Sequence, residues 1–213
     1  MITAAIASLV MIGASADKWD IKPNLAKDNA LTFKISIDAL VNGSEEHHAV
    51  FNSKSTVQDK IEDNFKTKLE WTDFEIDGGD SREAPAMTYK VNSRGVVVGV
   101  VDMEDPFRRM LTPLYFAYPE SAVGEGDKWE VKTGPDGNYK LAFEVKGTET
   151  IAGDETLKIV ETIKESDGTY GDGTWWVNKA GVPVKFELKL KQWVVPFAGP
   201  ELVDATIKGT RKV

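Results

Sequence analysis

Three features of the 213-residue sequence predict a mainly β protein: one antiparallel sheet of ten or eleven strands with a single short helical insert. Apolar and polar residues alternate with period two along most of the chain after Pro23. Glycine, asparagine, aspartate and proline clusters punctuate these runs at short intervals, which suits a meander. One segment, Asp105 to Tyr118, abandons the alternation for helical spacing and carries Pro106 and Pro113.

The first strand is "LTFKISIDALV", where Leu31, Phe33, Ile35, Ile37, Ala39 and Val41 share one face. Asn42-Gly43 closes it with a hairpin signal. A less regular strand, "EEHHAVFNSKSTVQD", follows. "FKTKLEWTDFEI" alternates through Phe65, Thr67, Leu69 and Trp71, then shifts phase at Asp73-Phe74, which predicts a bulge. After the polar loop "IDGGDSREAP" the period resumes at Met87, Tyr89 and Val91. Ser93-Arg94-Gly95 turns the chain into "VVVGVVDM", apolar on both faces. In the exceptional segment, Asp105 precedes Pro106 as an N-cap and first helical residue. Phe107, Met110, Leu111 and Leu114 follow at helical spacing, and Pro113 limits the helix to one or two turns. Strands return with Trp129, Val131 and Thr133, the Pro135–Asn138 turn, and Tyr139, Leu141, Phe143 and Val145. Gly153-Asp154 turns into "ETLKIVETIKES". A final strand runs from Leu202 to Val213.

Between them lies "GTWWVNKAGVPVKFELKLK", with two adjacent tryptophans. Neighbours on a strand point to opposite faces, so one tryptophan faces in and one out. Asn178-Lys179-Ala180-Gly181 suits a three-residue hairpin loop with Gly181 left-handed. In that register Trp176 lies opposite Val184 and joins the apolar face with Phe186. Trp175 then stands opposite Lys185 as a surface aromatic. A four-residue loop would exchange the two.

The composition narrows the function classes. The net charge is −8, from 34 acidic and 26 basic residues, with no basic footprint for nucleic acid. A hydrophobic content of 41% is enough for a core and too low for a multi-span membrane protein. "MITAAIASLVMIGASA", residues 1–16, is uncharged, apolar and ends Ala-Ser-Ala, so it reads as a secretory leader preceding a single domain, 17–213. An uncleaved anchor or a buried strand are the other readings. No cysteine is present, so there is no disulfide, thiolate metal site or lipid-modified cysteine; the leader sets the expected location as periplasmic or extracellular, with which the absence of cysteine is compatible.

The sequence assigns no catalytic residue, metal or cofactor. His47 and His48 are adjacent and diverge on a strand, which denies them one shared metal. "DGGD" and "DGTYGDG" lack calcium-loop spacing and read as turns. Asp102, Glu104 and Asp105 read as a strand end and helix cap. The aromatics carry more information. Trp71, Trp129, Phe143, Trp176 and Phe186 occupy the apolar phase, either as core packing or as the wall of a ligand cavity. Phe107, Met110, Leu111, Leu114 and Tyr115 would close that cavity.

The order of "KWDIKPNLAKDNALTFKISID", "DPFRRMLTPLYFAYPESAVGEGDKWEV" and "TWWVNKAGVPVKFELKLK" resembles exported bacterial proteins with a Pro-x-x-x-Val-Gly-x-Gly-Asp-x-Trp signal, here Pro119, Val123, Gly124, Gly126, Asp127 and Trp129. These are similar to the LolA/LppX-like lipoprotein-carrier superfamily. The resemblance implies a half-barrel, a strongly curved antiparallel sheet of about eleven strands whose concave apolar face is covered by short helices. It also implies carriage of lipid or acyl chains there, though no side chain transfers as diagnostic. The expectation is a non-enzymatic exported carrier for an apolar small molecule or an envelope partner, with the helical plug as a movable lid. A structural module with a closed core, or a carbohydrate-binding module using Trp175, are the alternatives.

Overall fold

The computed structural model describes residues 17–79, 86–101, 105–166, 168–194 and 202–212. The expected leader, Asp102, Glu104, Val213, and Asp80 and Asp167 of the acidic loops lie outside the described residues. The strands are β1 (Ala30–Val41), β2 (Glu45–Ile61), β3 (Asn64–Ile76), β4 (Met87–Val91), β5 (Val97–Val101), β6 (Lys128–Thr133), β7 (Tyr139–Ile151), β8 (Asp154–Glu165), β9 (Tyr170–Asn178), β10 (Pro183–Val194) and β11 (Leu202–Arg211). Helix α1 (Asp105–Leu111) and a 3-10 turn (Thr112–Leu114) separate β5 from β6.

All eleven strands form one antiparallel sheet in the order β5-β4-β3-β2-β1-β11-β10-β9-β8-β7-β6. A twisted sheet this wide curls, because strands rotate progressively against one another. It curls beyond a half-barrel and is nearly closed, with one open seam. The strand order assigns that seam to the edges β5 and β6. β1 holds the middle, pairing with β2 from Ala30↔Thr56 to Val41↔Glu45 and with β11 from Phe33↔Arg211 to Val41↔Val203.

Local chemistry sets each turn. Asn42 and Gly43 both take left-handed backbone, as a type I′ hairpin demands. At the turn between β7 and β8 the left-handed pair is Ala152-Gly153, one residue earlier than Gly153-Asp154. The bulge at Asp73 is present. Its φ is 53°, and the pairing with β2 jumps from Thr72↔Asn52 to Glu75↔Val50, which turns Phe74 inward. The helix stops at Leu111, before Pro113, and the chain is extended again by Tyr115.

The tryptophan pair is reversed from the sequence expectation. The three-residue loop forms: Gly181 N–H donates to Asn178 O at 2.9 Å, and Asn178 N–H to Val182 O at 3.0 Å. Beyond it, however, β10 carries an irregularity between Pro183 and Lys185. Proline has no N–H for the ladder and favours such sites. The extra residue shifts the pairing by one, giving Trp175↔Phe186 and Trp176↔Lys185. Trp175 therefore faces inward at 2% exposure and is not a surface aromatic. Trp176 faces outward, yet is only 7% exposed. Lys185 Nζ lies 4.4 Å from its ring centroid, and its indole N–H donates to Glu149 Oε2 at 2.7 Å.

A second irregularity, between Leu190 and Trp193 with Gln192 at φ 53°, brings Trp193 into the core. Close approach across the sheet depends on Gly209, where a Cβ would stand 2.1 Å from Phe186 Cε1. Gly209→Ala is expected to cost about 1–3 kcal/mol by overpacking. Urea unfolding against the wild type checks this.

Candidate functional site

The barrel interior holds a partly open cavity of about 200 Å³. Three parts of the chain build it. The sheet contributes alternating inward residues, among them Phe33, Phe51, Leu69, Trp71, Trp175 and Phe186. The plug contributes Met110, Leu111, Leu114, Tyr115 and Phe116. The segment before β1 contributes Pro23 and Leu25. That segment works as a strap: Trp19 and Val123 exchange two backbone hydrogen bonds, at 2.8 and 3.0 Å. Lys22 passes so close to the hairpin that a Cβ on Gly181 would be 2.3 Å from its carbonyl oxygen. Only a glycine fits there, and Gly181 has φ 76° as well.

The structure brings Trp71, Phe186, Met110, Leu111, Leu114 and Tyr115 together on the cavity wall. Trp71 packs on Phe51 with ring centroids 4.9 Å apart, and Phe186 meets Trp175 at 4.8 Å and Phe33 at 5.3 Å. Four of the expected wall residues lie elsewhere. Trp129 and Phe143 stack on each other at 5.0 Å away from the cavity, and the Trp129 indole donates to Ala117 O at 2.9 Å. They are on the inward phase, but the plug's Phe116 stands over Phe143 at 5.5 Å. Phe107 sits half-buried on α1 away from the wall, and Trp176 is on the outer face. Trp175, Phe33, Phe51, Tyr89 and Trp193 are wall residues that the sequence reading did not assign. Phe33 and Tyr89 lay on apolar phases already read as inward.

The plug is anchored firmly. The Arg109 guanidinium contacts Glu165 Oε2 through Nε at 2.9 Å and a terminal nitrogen at 2.7 Å. Glu165 also accepts from Asn138 Nδ2 and from the Thr169 backbone N–H, both at 2.9 Å. Arg108 donates to Gly134 O at 2.6 Å, and the Trp193 indole to Met110 O at 3.1 Å. These bonds tie α1 to the β6–β10 side of the sheet, and Leu111 is wholly buried.

Polar groups inside the barrel are few. Ser53, Ser55, Thr67, Tyr89, Tyr115 and Tyr118 are the hydroxyl side chains of the cavity wall; the Tyr118 hydroxyl donates to Gly181 O at 2.7 Å, and burial pushes the Tyr89 and Tyr115 phenols above their ordinary range. Arg211 is the one charged wall residue among those described. Glu161 lies deeper on the inward face of β8, at 1% exposure. Its Oε2 accepts the Trp175 indole N–H at 2.7 Å, while Oε1 has no partner among the described residues. Burial pushes its carboxyl up to about 8, against the pull of that hydrogen bond. The histidines diverge as expected, His47 to Asp77 at 2.8 Å and His48 to Asp38 at 2.6 Å.

No family model and no curated protein matches the chain. Among solved structures, it is similar to a candidate exported protein with a YmcC-like fold from Bacteroides fragilis, at 11% identity and TM-score 0.35, covering 93% of this chain and 100% of that one. It is similar to a candidate outer membrane lipoprotein-sorting protein domain from Vibrio parahaemolyticus, at 12% identity and TM-score 0.27, covering 87% and 84%. A DUF1329 family protein from Desulfovibrio piger matches at 10% identity and TM-score 0.19, covering 87% and 85%.

Glu161 generates a pH prediction. Its folded pKa of about 8 lies above the ordinary 4.5, so the folded chain holds the proton more tightly than the unfolded chain. Above pH 4.5 the unfolded state ionises freely while the folded state resists. The wild type therefore loses stability relative to Glu161→Gln as pH rises from about 5 to about 8. Urea midpoints of both proteins at pH 5, 6.5 and 8.5 check this; a constant difference contradicts it.

Proposed function

We propose that this chain is an exported, non-enzymatic binding or carrier protein that holds a small apolar, acyl-like group inside a nearly closed β-barrel. The cavity carries this reading. Protein interiors are close-packed, and a largely apolar, partly open space of about 200 Å³ inside the barrel departs from that rule. Its wall is aromatic and aliphatic and holds no carboxylate or histidine among the described residues, which suits burial of a ligand better than chemistry on one. The expected leader supports export. Among the described residues no helix is long and apolar enough to cross a membrane.

Volume limits the cargo. A dry apolar cavity of about 150 Å³ accepts a benzene ring, so this one suits about six to eight carbons. Each buried methylene contributes about 0.8 kcal/mol, and association costs offset much of the total, so micromolar to millimolar affinity is expected. A longer chain would project through the opening or need the plug or the strap to move. The plug's ion pair and buried leucine favour the strap as the part that yields. The alternative with a specific observation behind it is a structural module: the cavity is smaller than the 300–1,000 Å³ typical of ligand sites.

The test is saturable binding of heptane, followed by ligand-detected NMR, with native mass spectrometry of the purified protein for a co-purifying adduct. Leu31→Trp, which adds bulk to the wall, is expected to abolish heptane binding without lowering the melting temperature, because the space is free. No adduct and no saturable binding in the wild type favours the structural module.

A further inference from the structure

The cavity wall is mostly apolar; besides Arg211, Asn24, Asn29, Ser53 and Tyr118, its polar side chains gather at one place, where four hydroxyls meet. Val57↔Thr67 and Ser55↔Leu69 are paired across β2 and β3, so Ser55 and Thr67 are diagonal neighbours on the inward face. Thr67↔Tyr89 are paired directly across β3 and β4. The plug brings the fourth: the Tyr115 ring packs on Tyr89 with centroids 5.0 Å apart, and its hydroxyl lies 3.4 Å from Ser55 Oγ. All four residues line the cavity. Thr67 is only 4% exposed, and its Oγ1 feels the Tyr89 hydroxyl but completes no hydrogen bond of normal geometry among the described residues. A buried hydroxyl left unbonded costs the fold stability, and a valine of the same shape would avoid the cost. A polar group kept at that cost inside an apolar wall has a use when something else supplies the partner.

Charge defines what that partner is. The patch holds hydroxyls only, with no cation among them to balance an anion. We propose that Thr67, Tyr115 and their neighbours select an apolar ligand carrying one uncharged hydrogen-bonding group, such as the carbonyl of an ester or amide, with its hydrocarbon part lying against Trp71, Leu69 and Phe186. The inference rests on the apolar-cavity reading and adds a polar address within it. Each hydroxyl can rotate to donate, and a carbonyl oxygen offers two lone pairs to receive.

The test compares methyl hexanoate, heptane and hexanoate as probes at pH 7.5, by ligand-detected NMR titration of the wild type, Thr67→Val and Arg211→Gln. Methyl hexanoate is expected to lose about tenfold in affinity on Thr67→Val, the effect of one buried hydrogen bond. Heptane is expected to change less than about twofold, since it makes no such bond. Thr67→Val should leave the melting temperature of the free protein unchanged or raised. Ester affinity unaffected by Thr67→Val overturns the proposal while heptane binding leaves the cavity reading intact. Hexanoate binding tightest, and lost in Arg211→Gln, overturns it in favour of an anion at the β11 end of the wall. A marked fall in the melting temperature of Thr67→Val also overturns it, by showing the hydroxyl bonded within the fold. No binding of any probe removes the cavity reading as well.

Discussion

The structure turns on how its two sheet edges are joined. β5 and β6 are the unpaired edges, and they are consecutive in the chain. Their connection could have looped outside and left both edges open to other chains, a known hazard for β proteins. Instead it runs into the seam and becomes core. Met110, Leu111, Thr112, Phe116 and Ala117 are all buried. Its backbone bonds to the sheet on both sides, with Tyr118 N–H donating to Arg94 O and Ala117 O accepting from Trp129. Across the seam itself, Thr133 Oγ1 donates to Val97 O at 3.0 Å. The cavity is what remains when a two-proline, helix-then-extended segment fills a space that a regular strand would have closed.

Inside such a barrel each polar group stands in a medium that punishes isolation, and the molecule treats its polar groups in three ways. Glu165 is saturated by Arg109, Asn138 and Thr169, so it anchors the plug. Glu161 has a single indole donor and keeps its proton instead. The Thr67 hydroxyl has neither arrangement. The difference follows from position: Glu165 ends β8, where backbone and loop donors are near, whereas Glu161 and Thr67 sit mid-face among side chains.

Most of the sheet was legible in the sequence because period two survives wherever the ladder is regular. The Leu31–Val41 strand, the Asp73 bulge and the Pro113 stop follow from composition alone. Legibility failed where one residue was added to a strand. At Pro183 the loop chemistry was read correctly, and the irregularity just beyond it reversed Trp175 and Trp176. At Gln192 a left-handed residue with no glycine to announce it turned Trp193 inward. The cavity wall was half legible for a different reason. The inward phase marks Trp129 and Phe143 as surely as Trp71 and Phe186. Which of them meets empty space depends on where Phe116 falls, and no local pattern reports that.

The pairing of β1 with β11 also has a kinetic meaning. These strands lie at opposite ends of the described chain, yet they form the central seam of the sheet, and Lys212 N–H donates to Thr32 O at 2.9 Å just past its end. Until β11 has emerged, β1 has no partner on one side, and its apolar row from Phe33 to Val41 stays uncovered. Loop closure over such a sequence separation is entropically slow, so ring closure comes late in folding. Until β11 docks, the free edge of β1 is a template for pairing with another chain, so the middle of the finished sheet is its most vulnerable line while the chain folds.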